Sequence, residues 1–260
     1  MSDKPSEATS STFVDSFARG LGVIEAFGAG QSELSMTQVA TAAGISRAAA
    51  RRLLLTLCHL GYAHESAGGF RLTPKIMRLG YAYLSGLTVA EIAEPFVVEL
   101  AEATGESCSV CILDDTEVVY VCRASTRRVM SLNLSVGTRL PAWATAHGRL
   151  LLADLADRDL QDRLARSGVR KMTPRSETDL EKLSALIRRA GQEGHCLVDQ
   201  ELELGLTAVA VPLHGRGGKV VAAINVAGHA DRISPEQMLV KHLSTLQQAA
   251  DRIEQALMAR

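Results

Sequence analysis

The segment MTQVATAAGISRAAARRLLLTL, at residues 36–57, constrains the fold of this chain more than any other part of the sequence. Ala40 is small where two helices have to cross closely, and Gly44, four residues on, supplies the positive φ that a tight turn needs. Three apolar residues then fall at the buried spacings of the next helix: Ile45, Ala50 and Leu53. This spacing predicts a helix-turn-helix.

Short helices are predicted on both sides of that turn. Residues 15–28 place four apolar side chains at helical spacing: Phe17, Leu21, Ile24 and Phe27. A second helix covers residues 37–42, and Ser46 caps a third helix that runs to about residue 60. The sequence therefore predicts three helices before residue 61.

A β-hairpin and a further helix follow. Strands around residues 62–65 and 70–73 flank a Ser-Ala-Gly-Gly turn, and Pro74 ends the second strand. A helix then runs from Lys75 to about residue 84, before Ser85-Gly86. We therefore expect four parts: a disordered tail at 1–13, a winged helix-turn-helix domain at 14–74, a linker helix at 75–87 and a second domain at 88–260.

Charge is distributed unevenly along the chain. Between residues 36 and 75 there are five basic residues and one acid, Glu65, so this stretch carries +4 of a total net charge of −1 and leaves −5 for the rest. The basic residues are Arg47, Arg51, Arg52, Arg71 and Lys75. A basic island in an acidic chain is typical of a segment that binds nucleic acid.

Several residues of this basic island are expected to contact double-stranded DNA. The N-terminal half of the second helix of a helix-turn-helix enters the major groove, and the planar arginine fork bonds a guanine edge or grips a phosphate. The hairpin would be a wing against the DNA backbone. The alternative is an ordinary solvated face on a small helical subdomain. The predicted contacts are Thr37, Ser46, Arg47, Ala48, Arg51, Arg52 and Arg71.

Residues 88–260 mix strands with helices. SCSVCILDDTEVVYVCRA predicts two strands around an Asp-Asp turn, and LTAVAVPL and KVVAAINVAG predict two more, joined by HGRGG. Helices are predicted at about 89–103, over LPAWATAHGRLLLADL, and at about 157–167, 177–193 and 235–258. This order predicts an α+β domain with a largely antiparallel sheet.

Composition excludes several classes of protein. Charged residues make up 22% and apolar residues 47%, which is typical of a globular protein, and no apolar run reaches the ~18 residues of a membrane span. The N-terminus lacks a secretory signal, so a cytoplasmic protein with five free cysteines is expected.

Cys108-x-x-Cys111 lies on a predicted strand, where the two side chains point to opposite faces, so no metal is expected.

With these elements the chain resembles the IclR-type transcription regulators, across essentially everything after the tail. GISRAAARRLLLTL and DQELELGLTAVAVPL are similar to one subgroup, the regulators of protocatechuate, 4-hydroxybenzoate and β-ketoadipate metabolism. The resemblance implies a curved antiparallel sheet in the second domain. It also implies a homodimer or dimer of dimers on operator DNA, controlled by a small organic acid that is aromatic or β-ketoadipate-like. The regulated genes would serve aromatic catabolism.

The resemblance also implies an effector site between the curved sheet and the start of the LPAWATAHGRLLLA helix. That helix start favours a carboxylate through its free N–H groups, and His147 and Arg149 would add positive charge. His147 departs from the less polar residue of the subgroup. Trp143 is expected either to line this site or to pack in the core. Ala208 and Ala227 would leave space for the ligand rather than donate or accept hydrogen bonds. The expected ligand-binding residues are Trp143, Ala146, His147, Asp199, Ala208, Asn225 and Ala227.

Two other functions remain open on sequence alone. The second domain would be an enzyme acting on a small carboxylate, or it would be purely structural in an architectural DNA-binding protein. No nucleophile–base pair, G-x-S-x-G elbow or metal cluster is recognisable, and GRGGK at 215–219 is typical of a hairpin turn rather than a phosphate loop. We therefore expect no catalytic residue, no cofactor and a ligand-controlled regulator.

Overall fold

The computed structural model describes residues 13–28, 33–79, 88–125 and 134–259. The chain forms two compact units, residues 1–85 and 86–260. The predicted fold class is confirmed, with a winged helix-turn-helix followed by an α+β unit. The predicted disordered tail at 1–13 lies almost wholly outside the described residues, as does most of the linker helix at 75–87. The described part of that helix opens with a 3₁₀ turn at Pro74–Ile76.

The first unit contains three helices and a hairpin, close to the predicted bounds. Its elements are α1 (Asp15–Glu25), α2 (Met36–Ala42), α3 (Arg47–His59), β1 (Ala63–Ser66) and β2 (Gly69–Leu72). Helix α2 begins one residue earlier than predicted because Ser35 and Gln38 cap it reciprocally. Gly44 adopts φ +63° between α2 and α3, as the tight turn requires.

The core of the first unit differs in detail from the sequence prediction. Leu54 is fully buried, whereas Ile45 and Leu53 are only partly buried against it. Phe17 and Leu21, whose spacing predicted α1, are exposed. The buried core comprises Val23, Leu34, Val39, Leu54 and Phe70. Leu34 also pairs with Phe70 through two backbone hydrogen bonds of 2.8 and 2.9 Å, so the wing is anchored to the segment before α2.

The second unit is built on a six-stranded antiparallel sheet of order β5-β4-β3-β8-β7-β6. The strands are β3 (Ser107–Asp114), β4 (Glu117–Ala124), β5 (Arg139–Pro141), β6 (Cys196–Asp199), β7 (Leu206–His214) and β8 (Val220–His229). The two edge strands, β5 and β6, were not predicted because three or four residues are too few to show alternation. The GRGGK segment forms the β7–β8 turn.

Helices cover both faces of this sheet. They are α4 (Thr88–Thr104), α5 (Ala146–Ala153), α6 (Asp157–Arg166), α7 (Leu180–Glu193) and α8 (Pro235–Met258). One apolar cluster joins α5, α6 and α7 to one face, and a second joins α4 and α8 to the other. Cys108 belongs to the second cluster and Cys111 to the first, so their side chains lie on opposite faces. Among the described helices, none is long and apolar enough to cross a membrane.

Helix α5 starts against a 3₁₀ turn at Ala142–Ala144, and Gly148 permits this contact. A Cβ atom on Gly148 would lie 2.1 Å from the carbonyl oxygen of Ala142. Thr145 caps the helix, because its Oγ1 accepts a hydrogen bond from the Gly148 N–H at 3.1 Å. The absence of a side chain at residue 148 therefore fixes where the first turn of α5 meets the preceding chain.

We predict that Gly148→Ala lowers the free energy of unfolding of the second unit by at least about 2 kcal/mol, because backbone has to move to admit the methyl group. Urea denaturation followed by the fluorescence of Trp143, the only tryptophan, measures this. Gly22→Ala in α1 is the control, because nothing lies within 4 Å of its added Cβ. Equal stability of Gly148→Ala and the wild type would contradict this explanation of the helix start.

Candidate functional site

The N-terminal half of α3 presents an exposed basic surface in the first unit. Ser46 caps α3 by accepting a hydrogen bond from the Ala49 N–H at 3.2 Å, and Ala50 packs into the core. The opposite face is therefore left to solvent, and it carries Ser46, Arg47, Ala48, Arg51 and Arg52; Thr37 on α2 also lies at the surface.

The arginines of this basic surface differ from the arginine of the wing. Among the described residues, no carboxylate pairs with Arg47, Arg51 or Arg52. Arg71 is exposed too, but its Nη2 atom lies 3.3 Å from Glu33 Oε2. The α3 arginines are thus free to meet an external anion, whereas Arg71 already has a carboxylate partner.

A cavity lies in the second unit between the sheet and the start of α5. Five of the seven predicted ligand-binding residues line it: Ala146, His147, Ala208, Asn225 and Ala227. The other lining residues are Ser107, Tyr120, Arg123, Leu134, Ala144, Thr145, Val198, Leu202 and Leu206. Its free volume is about 30 Å³, which is room for one or two water molecules and less than an aromatic ring needs. A ring-sized ligand therefore has to push lining side chains outward.

His147 is buried in the cavity wall as a neutral imidazole. Its side chain is 2% exposed, and neither ring nitrogen has a hydrogen-bond partner among the described residues. Tyr120 packs edge-on against it, with ring centroids 5.4 Å apart. Burial, assisted by the charge of Arg123, lowers the pKa of His147 to about 3. The expectation that His147 adds positive charge is therefore wrong.

Asn225 is a second buried polar group on the cavity wall. It lies on the central strand β8, opposite Ser109 on β3 and Ala210 on β7. The side chain is 4% exposed, and its Oδ1 atom has no hydrogen-bond partner among the described residues. Buried amides are normally satisfied, so this atom is open to a donor from a ligand.

Arg123, which the sequence analysis did not identify, is the charged side chain of the described lining. It lies on β4, donates from Nη1 to Ser109 Oγ at 3.0 Å and forms no ion pair with any described carboxylate. A β-bulge explains the omission. Cys111 pairs with Tyr120 but Val110 pairs with Cys122, so Val121 is an extra residue on β4. The bulge reverses the alternation and brings Arg123 to the same face as Tyr120.

Arg149 cannot supply the positive charge that the sequence suggested, because it is already paired. Its side chain is 3% exposed, and its two terminal nitrogens donate to the Glu201 carboxylate at 2.8 and 2.7 Å. Its Nε atom donates to the carbonyl oxygen of Trp143 at 2.9 Å. Arg149 is therefore part of a buried structural ion pair beside the cavity.

Two further residues predicted to bind the ligand do not line the cavity. Asp199 follows Val198 on β6, so its side chain points to the opposite face of the strand, where it pairs with Arg175 and Thr207. Trp143 is 1% exposed and packs in the apolar core. Trp143 therefore has the core-packing role that was its alternative. The prediction that Asp199 binds the ligand is wrong, because alternation along β6 turns its side chain away from the cavity.

We predict that the His147 site makes the second unit less stable in acid. Its folded pKa lies below the ordinary value of 6.5, so the unfolded chain binds a proton that the folded protein excludes as pH falls from 6.5 towards 3. The free energy of unfolding should fall by up to about 1.4 kcal/mol per pH unit from this group.

The measurement is urea denaturation across that pH range for the wild type and for His147→Phe. The variant cannot bind the proton, so its stability should depend less steeply on pH. His64→Phe, at an exposed histidine of the wing, should keep the wild-type slope. Identical slopes for His147→Phe and the wild type would show that residue 147 is not a buried neutral imidazole.

Comparison with known proteins relates both sites to one family. Residues 16–66 match the family pattern described as the IclR helix-turn-helix domain, and residues 81–255 match the one described as the bacterial transcriptional regulator IclR C-terminal domain. The chain is 39% identical to the Pca regulon regulatory protein of Pseudomonas putida over 90% of this chain and 81% of that protein. It is 35% identical to the p-hydroxybenzoate hydroxylase transcriptional activator of Acinetobacter baylyi over 95% and 93%.

Solved structures give the same result for the fold. A protein from Rhodococcus sp. RHA1, assigned as a transcriptional regulator, has a TM-score of 0.85 at 42% identity and covers 94% of this chain and 98% of its own. An IclR homolog complexed with 4-hydroxybenzoate, from Microbacterium hydrocarbonoxydans, has a TM-score of 0.84 at 23% identity, over 95% and 100%.

Proposed function

Because this chain belongs to the IclR family of bacterial transcriptional regulators, we propose that it binds operator DNA through the arginine face of α3 and that an aromatic acid in the cavity controls this binding. The observation that carries the proposal is the cavity itself, which is lined by Arg123, a cation with no described carboxylate partner, and by two buried polar side chains with atoms that lack a partner among the described residues. An aromatic acid as effector is supported by one relative named as the activator of p-hydroxybenzoate hydroxylase and by an IclR homolog of the same fold solved in complex with 4-hydroxybenzoate.

The DNA half of the proposal follows from charge and exposure. A recognition helix needs side chains that reach base edges and phosphates without first breaking an internal ion pair. Arg47, Arg51 and Arg52 meet this condition. A homodimer, or a dimer of dimers, would present two such helices to a pseudo-palindromic operator. The contact surface would be completed by Thr37, Ser46 and Ala48. Arg71 of the wing would reach the DNA backbone only by leaving its partner Glu33.

The effector half of the proposal follows from the closed cavity. A carboxylate would pair with Arg123, and an aromatic ring would lie among the apolar lining. Because the free volume is only about 30 Å³, the acid binds a form of the unit whose walls have moved. A ligand that prefers one of two forms shifts their populations by its differential affinity, and this supplies a route from the cavity to DNA binding.

We predict that Arg47→Ala and Arg51→Ala each weaken operator binding by about 1–3 kcal/mol while leaving the oligomeric state unchanged. Fluorescence anisotropy with a labelled promoter fragment measures the affinity, and light scattering measures the mass. Arg166→Ala, which removes an exposed arginine of α6, is the control and should bind like the wild type. Unchanged affinity in both α3 variants would remove this face from the DNA interface.

We predict that Arg123→Gln weakens binding of benzoate-type acids at least about tenfold, because a carboxylate loses its only described cationic partner in the cavity. Operator binding without ligand should stay at the wild-type level. A thermal-shift screen with protocatechuate, 4-hydroxybenzoate, catechol-derived acids and β-ketoadipate tests the effector class. If none of these acids stabilises the wild type or alters its operator binding, the proposed effector control is wrong.

A further inference from the structure

The turn of the wing lies directly against the segment that precedes α2. Leu34 pairs with Phe70 of the wing through two backbone hydrogen bonds. A Cβ atom on Gly69 would lie 2.4 Å from the carbonyl oxygen of Leu34. A Cβ atom on Gly68 would lie 2.8 Å from Glu33 Oε1. The two glycines of the turn therefore allow the wing to approach both the backbone of this segment and the carboxylate of Glu33.

The Glu33 carboxylate is bound to the wing through both of its oxygen atoms. Oε1 accepts a hydrogen bond from the Ser66 hydroxyl, and Oε2 lies 3.3 Å from Arg71 Nη2. The side chain of Glu33 is 29% exposed, whereas that of Arg71 is 56% exposed. Because Ser66 and the pairing of Leu34 hold the carboxylate independently of the arginine, Glu33 stays at the wing when Arg71 moves away.

A carboxylate and a DNA phosphate compete for the same arginine, because both accept its forked pair of N–H donors. Each phosphate that a cation neutralises adds sequence-independent affinity through the release of counterions. Arg71 would have to exchange one anion for another, and the exchange would leave the fixed Glu33 carboxylate beside the DNA backbone. Arg71 therefore adds little net affinity, in contrast to the three arginines of α3.

We propose that Glu33 is an internal competitor for the phosphate at the wing, so that it keeps Arg71 from the DNA backbone and limits the affinity of the protein for duplex of any sequence. This inference rests on the proposed function, because it concerns the same DNA-binding surface. Operator recognition is then left to the arginine face of α3. Weaker sequence-independent binding helps a regulator to leave the large excess of competing sites in a genome.

A purely structural role for Glu33 predicts the opposite effect on DNA binding. Glu33→Gln keeps the size of the side chain and an oxygen acceptor for Ser66, but it removes the negative charge. If Glu33 only held the wing in place, this change would loosen the wing and weaken binding. If Glu33 competes with phosphate, the same change frees Arg71 and strengthens binding.

The test is fluorescence anisotropy of the full-length protein with a labelled duplex of random sequence, at salt concentrations from about 50 to about 200 mM. Glu33→Gln should bind about three- to tenfold more tightly than the wild type at the low-salt end. Its plot of log affinity against log salt should be steeper by about one, the contribution of one phosphate contact.

The double-mutant cycle assigns this gain to Arg71. Arg71→Ala should change the affinity of the wild type less than about twofold, but it should abolish the gain in the Glu33→Gln background. Glu65→Gln is the matched control, because it removes an exposed carboxylate of the same wing that forms no ion pair with a described residue. This control should change the affinity less than about twofold.

Three results would overturn the inference and leave recognition by α3 intact. They are weaker binding by a folded Glu33→Gln, a gain that persists without Arg71, and a loss on Arg71→Ala that is as large in the wild type as in Glu33→Gln. If the wild type binds no duplex, the proposed function fails first. Should Glu33→Gln not fold, the salt dependence of the wild type and of Arg71→Ala decides: equal slopes support the inference, and a shallower slope in Arg71→Ala overturns it.

Discussion

The buried ion pair between Arg149 and Glu201 is the interaction on which the cavity depends. Arg149 lies on α5 and grips Glu201 with both terminal nitrogens, while its Nε atom holds the carbonyl of Trp143 in the preceding 3₁₀ turn. Glu201 in turn accepts a hydrogen bond from the Glu177 N–H at 3.1 Å. One side chain thus joins three segments around the cavity. A buried charge left without its partner is strongly destabilising, so these segments stay together.

This arrangement separates structural charge from charge that a ligand can use. Arg149 is satisfied inside the protein, whereas Arg123 has a hydroxyl neighbour and no described carboxylate. His147 is held neutral by burial, and the nearby charge of Arg123 acts in the same direction. The cavity therefore combines one positive charge with neutral hydrogen-bonding groups that have no partner among the described residues.

Much of the first unit follows from local sequence rules. The Gly44 turn, the Ser46 cap and the exposed arginines of α3 depend on residues that are close in the chain, so spacing alone predicts them. The Ser35–Gln38 capping box is equally local, and its Ser-x-x-Gln pattern would have placed the start of α2 correctly. The exposure of Phe17 and Leu21 could not be predicted. Helical spacing shows that two apolar residues share one face of a helix, but it does not show whether other residues pack on that face.

The cavity was predicted less completely because it is assembled from distant strands. Five residues that line it were predicted: Ala146, His147, Ala208, Asn225 and Ala227. Arg123 was not, because the bulge at Val121 shifts the alternation of β4, and no single-strand pattern reveals a bulge. The prediction for Asp199 was wrong because β6 is an edge strand of four residues. So short a strand does not show in its sequence which residues face the cavity. The Arg149–Glu201 pair spans 52 residues of sequence, which no local pattern bridges.

The proposed regulation requires the acid site of one unit and the DNA face of the other to be thermodynamically coupled. Linkage makes such coupling reciprocal: the factor by which an acid changes operator affinity equals the factor by which the operator changes acid affinity. The decisive measurement is calorimetric titration of a hydroxybenzoate into the protein with and without saturating operator duplex. We expect two different acid affinities, in the ratio found from DNA binding. The same acid affinity in both titrations would contradict the coupling.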